Sequence, residues 1–87
     1  MRLLTTKGFE KDFKLIKKRG KDPEKLWNIV GKILARKPLD PRHRKHRLSG
    51  NWSFAWECHI EPDWLLIWEE RDDEIILART GTHSDLF

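Results

Sequence analysis

Several side chains that can transfer protons or bind phosphate lie in the second half of the chain, beside the ends of predicted strands. They are His59, Asp63, Arg79 and His83, and His46 comes from the connection before these strands. Histidine can donate or accept a proton near neutral pH, because its unperturbed pKa is about 6.5. Arginine stays charged and donates hydrogen bonds in two directions to a phosphoryl group. This set fits metal-free RNA cleavage, which needs a base, an acid and a cation.

A metal site is a second interpretation of the same residues. His46, His59 and His83 could form a three-histidine zinc site, but no close ligand pair such as HxxxH supports it. Cys58 is adjacent to His59 on a predicted strand, so the two side chains point to opposite faces and cannot easily share an ion. We therefore expect no metal and no cofactor.

Each of these groups also has a purely structural interpretation. Arg79 would pair with Glu57 or Asp63, and Asp63 would serve only to form a turn. We interpret His43 as a solvated loop residue, and most of the tryptophans as core residues rather than base-stacking groups. Cys58 would be a small, buried apolar residue.

The elements that must position these groups begin with a short strand and two helices. Leu3–Thr6 is a candidate strand. Apolar residues at helical spacing predict a first helix from Lys7 that stops at Gly20. Asp22–Pro23 has the residue types of an N-cap and a first helical position, and a second helix should run from there to Lys37–Pro38.

Three strands are predicted after a loop that covers residues 37–51, and the first of them alternates with a period of two. The first should place Trp52, Phe54, Trp56, Cys58 and Ile60 on one face, opposite His59. Turns at 61–63 and 71–73 separate it from strands at 64–68 and 74–79. The predicted fold class is α+β. It is a single domain, residues 1–87, in which the N-terminal strand and a three-strand C-terminal meander form an antiparallel sheet and both helices pack on one face.

Charge is divided unevenly along the chain. Residues 1–47 carry a net charge of +11 and residues 48–87 a net charge of −7, which gives +4 overall. The basic half favours a polyanionic partner, although a solvated helix surface would have the same composition. The candidate phosphate contacts are Lys14, Lys17, Lys18, Arg19, Arg44, Lys45 and Arg47.

The composition excludes several classes of protein. The single cysteine excludes an internal disulfide framework and the multi-cysteine zinc modules. No apolar run is long enough to span a bilayer, and the first residues are too short and polar for a signal peptide. Five tryptophans and four phenylalanines argue against disorder. We expect a globular protein of a reducing compartment, with no membrane association.

Three segments resemble the YafQ branch of the RelE/ParE toxin superfamily. They are LSGNW at Leu48–Trp52, ECHIEPDWLLI at Glu57–Ile67 and RTGTHSDLF at Arg79–Phe87. The resemblance covers nearly the whole chain, including the two basic helices and the Pro-Leu-Asp-Pro connection. It implies a RelE-like fold and a bacterial type II toxin. Such a toxin is a cytoplasmic endoribonuclease that cuts mRNA on the ribosome and is silenced by a cognate antitoxin.

The resemblance also implies a set of active-site residues. The family's motif positions fall on His46, His59, Asp63, Arg79, His83 and Phe87. Arg79 would stabilise charge on the scissile phosphate, while His83 and one of His46 or His59 would exchange protons with the RNA. Asp63 would orient a histidine or transfer a proton itself, and Phe87 would pack against a base or close the cleft.

Two other functions stay open on the sequence alone. ParE-like relatives share the architecture but inhibit gyrase, and a plain RNA-binding module would need only the basic surface. RNA cleavage requires the cleft of histidines with Arg79, whereas gyrase binding does not.

Overall fold

A five-stranded sheet with two long helices on one face makes up the protein, in a computed structural model that describes all 87 residues. The strands are β1 (Arg2–Thr5), β2 (His46–Arg47), β3 (Ala55–Glu61), β4 (Trp64–Arg71) and β5 (Glu74–Gly81). The helices are α1 (Lys7–Lys18), α2 (Pro23–Leu34) and α3 (His83–Leu86), with 3₁₀ turns at Pro41–His43 and Gly50–Trp52. No helix combines the length and the apolar character that crossing a membrane requires.

Both predicted N-terminal helices are confirmed, and their ends follow from local chemistry. The Thr6 side chain caps α1 by accepting a hydrogen bond from the backbone N–H of Phe9. Gly20, with φ of +85°, lies just beyond α1 in the left-handed region that favours glycine. Asp22 caps α2 through the N–H of Glu24.

The strand order is β1-β5-β4-β3-β2, and the predicted meander of β3, β4 and β5 is antiparallel as expected. β1 pairs with β5 in parallel, so the expectation of a wholly antiparallel sheet is wrong at this edge. A parallel pair needs a long crossover connection. Here α1 and α2 begin that connection, and both lie over one face of the sheet.

The core lies between these helices and the sheet. Its largest fully buried members are Trp64 and Trp68 of β4, which pack with apolar residues of α1 and α2. Trp64 Nε1 donates to the Thr80 hydroxyl at 2.9 Å, so its polar atom is satisfied inside the core. Cys58 is fully buried in this core, and burial raises the pKa of its thiol to about 12. The structural interpretations of Trp64, Trp68 and Cys58 are confirmed.

The prediction for the first C-terminal strand is wrong at its N-terminal end. β3 starts at Ala55, because Gly50 (φ +66°) opens a 3₁₀ turn through Trp52. Trp52 consequently packs on Ala55 and Ile67, on the face away from the helices. Phe54 is 53% exposed and joins neither core cluster.

Residues 37–51 were predicted to be a loop, but they contain a short strand. His46–Arg47 forms β2 and pairs antiparallel with Glu57 and Trp56 of β3. Lys45 and Arg47 lie over the Trp56 ring, and these cation–π contacts offset the local density of positive charge. His43 is buried and its Nδ1 donates to the His59 carbonyl at 2.7 Å, so the prediction of a solvated His43 is wrong.

Candidate active site

Three imidazoles lie in a row where β2, β3 and α3 meet. The ring centroids of His46 and His59 are 6.5 Å apart, and those of His59 and His83 are 5.6 Å apart. His59 alternates along β3 with Cys58 and Ile60, which pack against the helices, so its side chain points to the opposite face. The structure therefore brings together the three histidines that the sequence singled out.

Asp63 holds the imidazole at one end of the row. This carboxylate lies in the turn between β3 and β4 and accepts two hydrogen bonds from His83, at 3.0 Å from the backbone N–H and at 2.7 Å from Nδ1. The bond from the backbone N–H, followed by the bond from the ring, holds the pKa of Asp63 below its usual value. Because Nδ1 donates to Asp63, Nε2 of His83 is the ring nitrogen left without a hydrogen bond in the chain.

A second network fixes the segment that carries His83. Thr82 and Asp85 form a capping box at the start of α3. Arg19, the C-cap residue just after α1, donates to both oxygens of Asp85, at 2.6 and 3.1 Å, and this contact together with the Thr82 N–H lowers the pKa of Asp85. A Cβ on Gly81 would lie 2.9 Å from an Asp85 oxygen, so this close approach requires glycine. Arg19, expected to contact phosphate, is instead an internal partner of α3.

The imidazole at the other end of the row also meets a carboxylate. His46 Nε2 is 3.1 Å from Oε1 of Glu57, whose side chain is only 7% exposed, and His46 Nδ1 is 2.7 Å from the carbonyl oxygen of Arg44. The sequence offered Glu57 as a polar candidate and as a partner for Arg79, and it did not predict the contact with His46. The missing signal was the register of β2, which places His46 opposite Glu57.

The central imidazole has no carboxylate partner. His59 Nδ1 lies 3.3 Å from the carbonyl oxygen of Pro62, and its Nε2 makes no hydrogen bond within the chain. The row thus has an anchored imidazole at each end and a less constrained one between them. Phe87 follows His83 by one helical turn, donates its N–H to the His83 carbonyl and is 65% exposed.

Arg79 pairs with a residue that was not among the sequence candidates. Asp12 of α1 accepts hydrogen bonds from Arg79 Nε at 2.5 Å, from Nη2 at 3.2 Å and from the Thr80 N–H at 3.1 Å. The pairing raises the pKa of Arg79 and leaves Nη1 without a hydrogen bond in the chain. The predicted partners, Glu57 and Asp63, are therefore wrong. The sequence feature that could have indicated this pair is Asp12 itself, an acidic residue within a strongly basic helix.

Unpaired cationic side chains lie on α1, and others line a cavity beside His59. Lys14 and Lys18 are exposed on α1 without an acidic partner, and Lys17 lies over the Phe13 ring. A cavity between α2 and the end of β3 reaches His59, and its cationic lining residues are Lys25, Lys32, Arg42 and Arg44. This cavity can accommodate a polyanion beside His59.

The metal interpretation gains no geometric support. No three side chains of His, Cys, Asp or Glu converge closely enough to hold a metal ion. One nitrogen of His46 and one of His83 already face carboxylates. The arrangement instead suits proton transfer beside a bound anion.

Comparisons with known proteins show a family and several related structures. A family model described as "Bacterial toxin of type II toxin-antitoxin system, YafQ" matches residues 1–87. The chain is 39% identical over 80 residues to "mRNA interferase toxin YafQ" of Escherichia coli K12, an overlap of 91% of this chain and 87% of that relative. A copper-bound mutant toxin from Helicobacter pylori has a TM-score of 0.95 at 40% identity, over 100% of this chain and 99% of that one. A chain of the E. coli DinJ-YafQ complex has a TM-score of 0.92 at 36% identity, with the same coverage.

Proposed function

This chain belongs to the YafQ family of bacterial type II toxins, and we propose that it is an mRNA interferase, an endoribonuclease that cleaves mRNA on the ribosome. The observation that carries the proposal is the row of three imidazoles, anchored by Asp63 and adjoining a cavity with a cationic lining. The relative at 39% identity bears the name of an mRNA interferase. Gyrase inhibition needs no such row of proton-transfer groups.

The chemistry we propose is an attack of the 2′-OH on the adjacent phosphorus. A base takes the 2′-OH proton while the 2′-oxygen bonds to phosphorus. The bond from phosphorus to the 5′-oxygen then breaks, and an acid protonates that oxygen. The products are a 2′,3′-cyclic phosphate, which hydrolysis opens to a 3′-phosphate, and a 5′-OH.

The side chains divide this work according to their contacts. His83 exchanges one proton through Nε2, because Asp63 holds its Nδ1. His46 or His59 exchanges the other proton. Arg79 presents Nη1 to the non-bridging oxygens, where positive charge stabilises the developing anion. Phe87 packs against a base of the substrate.

The basic surfaces would serve two partners in turn. Ribosomal RNA binds them when the toxin acts, and a cognate antitoxin covers them when the toxin is silent; the related E. coli toxin has been seen in a DinJ-YafQ complex. The proposed phosphate contacts are Lys14, Lys17, Lys18, Arg44, Lys45 and Arg47. Arg19 is no longer one of them, because Asp85 engages its guanidinium. Since ribosomes are the site of action, the proposed compartment is the cytoplasm.

Primer extension on mRNA translated by purified ribosomes tests the proposal. We expect discrete cleavage by the wild type, undiminished in excess EDTA, and a loss of about 10²–10⁴-fold in His83→Ala. Ser84→Ala, an exposed neighbour on the same helix, is the matched control and should cleave normally. Full cleavage by His83→Ala would refute the assignment, and a requirement for added zinc would restore the metal interpretation. Inhibition of gyrase supercoiling without cleavage would establish the ParE-like alternative.

A further inference from the structure

The cavity between α2 and the end of β3 has no part in the mechanism above. Its volume is about 660 Å³. One wall is a single face of α2, since its lining residues 25, 28, 29 and 32 follow the i, i+3, i+4, i+7 spacing of a helix. The opposite wall comprises the 3₁₀ turn, Arg44 and the last residues of β3.

Local contacts hold the wall formed by the 3₁₀ turn. The buried His43 donates from Nδ1 to the His59 carbonyl at 2.7 Å, which joins the turn to β3. The Asp40 side chain caps the turn by accepting from the Arg42 N–H at 2.9 Å. Arg44 then has a φ of +49°, in the left-handed region that a residue with a Cβ seldom adopts. These contacts form the cavity within the chain itself, before any ligand is bound.

Positive charge exceeds negative charge in the lining. The single acidic lining residue is Glu61, whose two oxygens already accept hydrogen bonds from Lys21 and Lys25, each at 2.7 Å. These two lysines compensate the carboxylate. The other cations of the lining therefore face the cavity without opposition from Glu61.

The three remaining cations are available to a ligand. Lys32 and Arg44 are exposed and form no ion pair in the chain. Arg42 Nε lies 4.0 Å from Asp40, and both side chains are at least half exposed, so this contact is weak. Lysine and arginine side chains around one cavity are the groups that bind phosphate.

The position of His59 indicates which phosphate the cavity takes. His59 lines the cavity and is also the central member of the imidazole row. A nucleic acid strand carries a phosphate at every nucleotide. A strand with one phosphate at the imidazoles can therefore place a neighbouring phosphate among these cations.

We propose that this cavity is a subsite for a phosphate of the substrate RNA strand that neighbours the one being cleaved, and that Lys32, Arg42 and Arg44 bind it. Holding a second phosphate fixes which bond of the strand lies at the imidazoles. The inference rests on the proposed function, because the imidazole row identifies the strand as substrate.

Binding of an RNA that cannot be cleaved tests the subsite apart from catalysis. The probe is a fluorescent single-stranded hexanucleotide with 2′-O-methyl groups, and its anisotropy is measured with the full-length chain. Lys32→Gln and Arg42→Gln should each lower the log–log salt slope by about 0.7, the value for one phosphate on a single strand. At about 0.1 M salt this slope corresponds to binding that is about fivefold weaker.

Two further variants separate the cavity from general electrostatics. Lys11→Gln removes the same charge from an exposed position on α1 outside the cavity, and it should bind the probe nearly as the wild type does. Arg42→Lys keeps the charge and should retain most of the affinity. If Lys32→Gln and Arg42→Gln bind like Lys11→Gln, or if the wild type does not bind the probe, the cavity is not a phosphate subsite.

Ribosomal RNA offers the same phosphate chemistry, so the variants are also tested for binding to vacant ribosomes. Lys32→Gln and Arg42→Gln should bind these as Lys11→Gln does. Weaker ribosome binding with unchanged probe binding would overturn the assignment to the substrate strand.

Cleavage of translated mRNA distinguishes failure of this inference from failure of the proposed function. If the wild type cleaves no mRNA, the proposed function fails, while probe binding still decides whether the cavity binds RNA phosphate. If the wild type cleaves and the two cavity variants bind the probe as tightly as it does, only the subsite is refuted.

Discussion

The pairing of Asp12 with Arg79 gives the sharpest test of how α1 supports the site. Asp12 accepts three hydrogen bonds, two of them from a guanidinium, and its side chain is 13% exposed while that of Arg79 is 34% exposed. Asp12→Asn keeps the shape but removes the charge. The amide can accept from only one side and offers N–H groups to a donor.

The size of the effect follows from these contacts. A hydrogen bond to a charged group contributes about 1.5–3 kcal/mol, and the partial exposure of Arg79 puts the value at the lower part of that range. We expect Asp12→Asn to lower the free energy of unfolding by about 2 kcal/mol, which is a fall in Tm of about 8–16 °C for a domain of this size. Cleavage should fall by about tenfold or more, because Arg79 is no longer held in one orientation.

Urea unfolding and primer extension measure the two effects separately. Glu10→Gln is the matched control, since Glu10 lies on the same helix, is exposed and only accepts from the Thr5 hydroxyl. Its stability should change by less than about 0.5 kcal/mol. If Asp12→Asn is as stable and as active as Glu10→Gln, Asp12 does not support the site in this way.

The remaining predictions concern pH and salt. The pKa of Asp85 is lowered in the fold, so its contribution to stability is present above its unfolded value of about 3.9 and is lost as the pH falls. Asp85→Asn should therefore unfold at lower urea than the wild type at pH 6, and the gap should narrow below about pH 4; a gap independent of pH would contradict this. Reversing Lys14 and Lys18 to Glu should weaken ribosome binding. It should also flatten the salt dependence by about 0.7–0.9 in log–log slope for each phosphate that the protein no longer neutralises. Unchanged binding would remove both lysines from the interface.

Local patterns were enough to predict most of the fold. The Asp22–Pro23 cap, the apolar spacing of the helices and the alternation along β3 each act within a few residues. The orientation of β1 depends instead on a crossover across the sheet, which short-range alternation does not report. The candidate histidines could be identified from their types and motif positions.

The sequence did not show which residues the candidate site groups contact. A strand of two residues, His46–Arg47, is too short to show alternation. The contact between His46 and Glu57 therefore could not be predicted from the sequence. Asp12 and Arg79 are 67 positions apart, and only the docking of α1 on β5 brings them together. Long-range pairings of this kind are decided by packing, which a pattern along the chain does not encode.

The single thiol of the chain offers a consequence of a different kind. Cys58 is fully enclosed between the sheet and the helices, and burial raises its pKa to about 12, so it is shielded from thiol reagents as long as the fold is closed. Its rate of alkylation therefore reports how often the core opens. A variant destabilised by about 2 kcal/mol should be labelled about 30-fold faster where opening and closing are fast relative to alkylation. The protein thus contains its own probe of core opening, on the face of β3 opposite to His59.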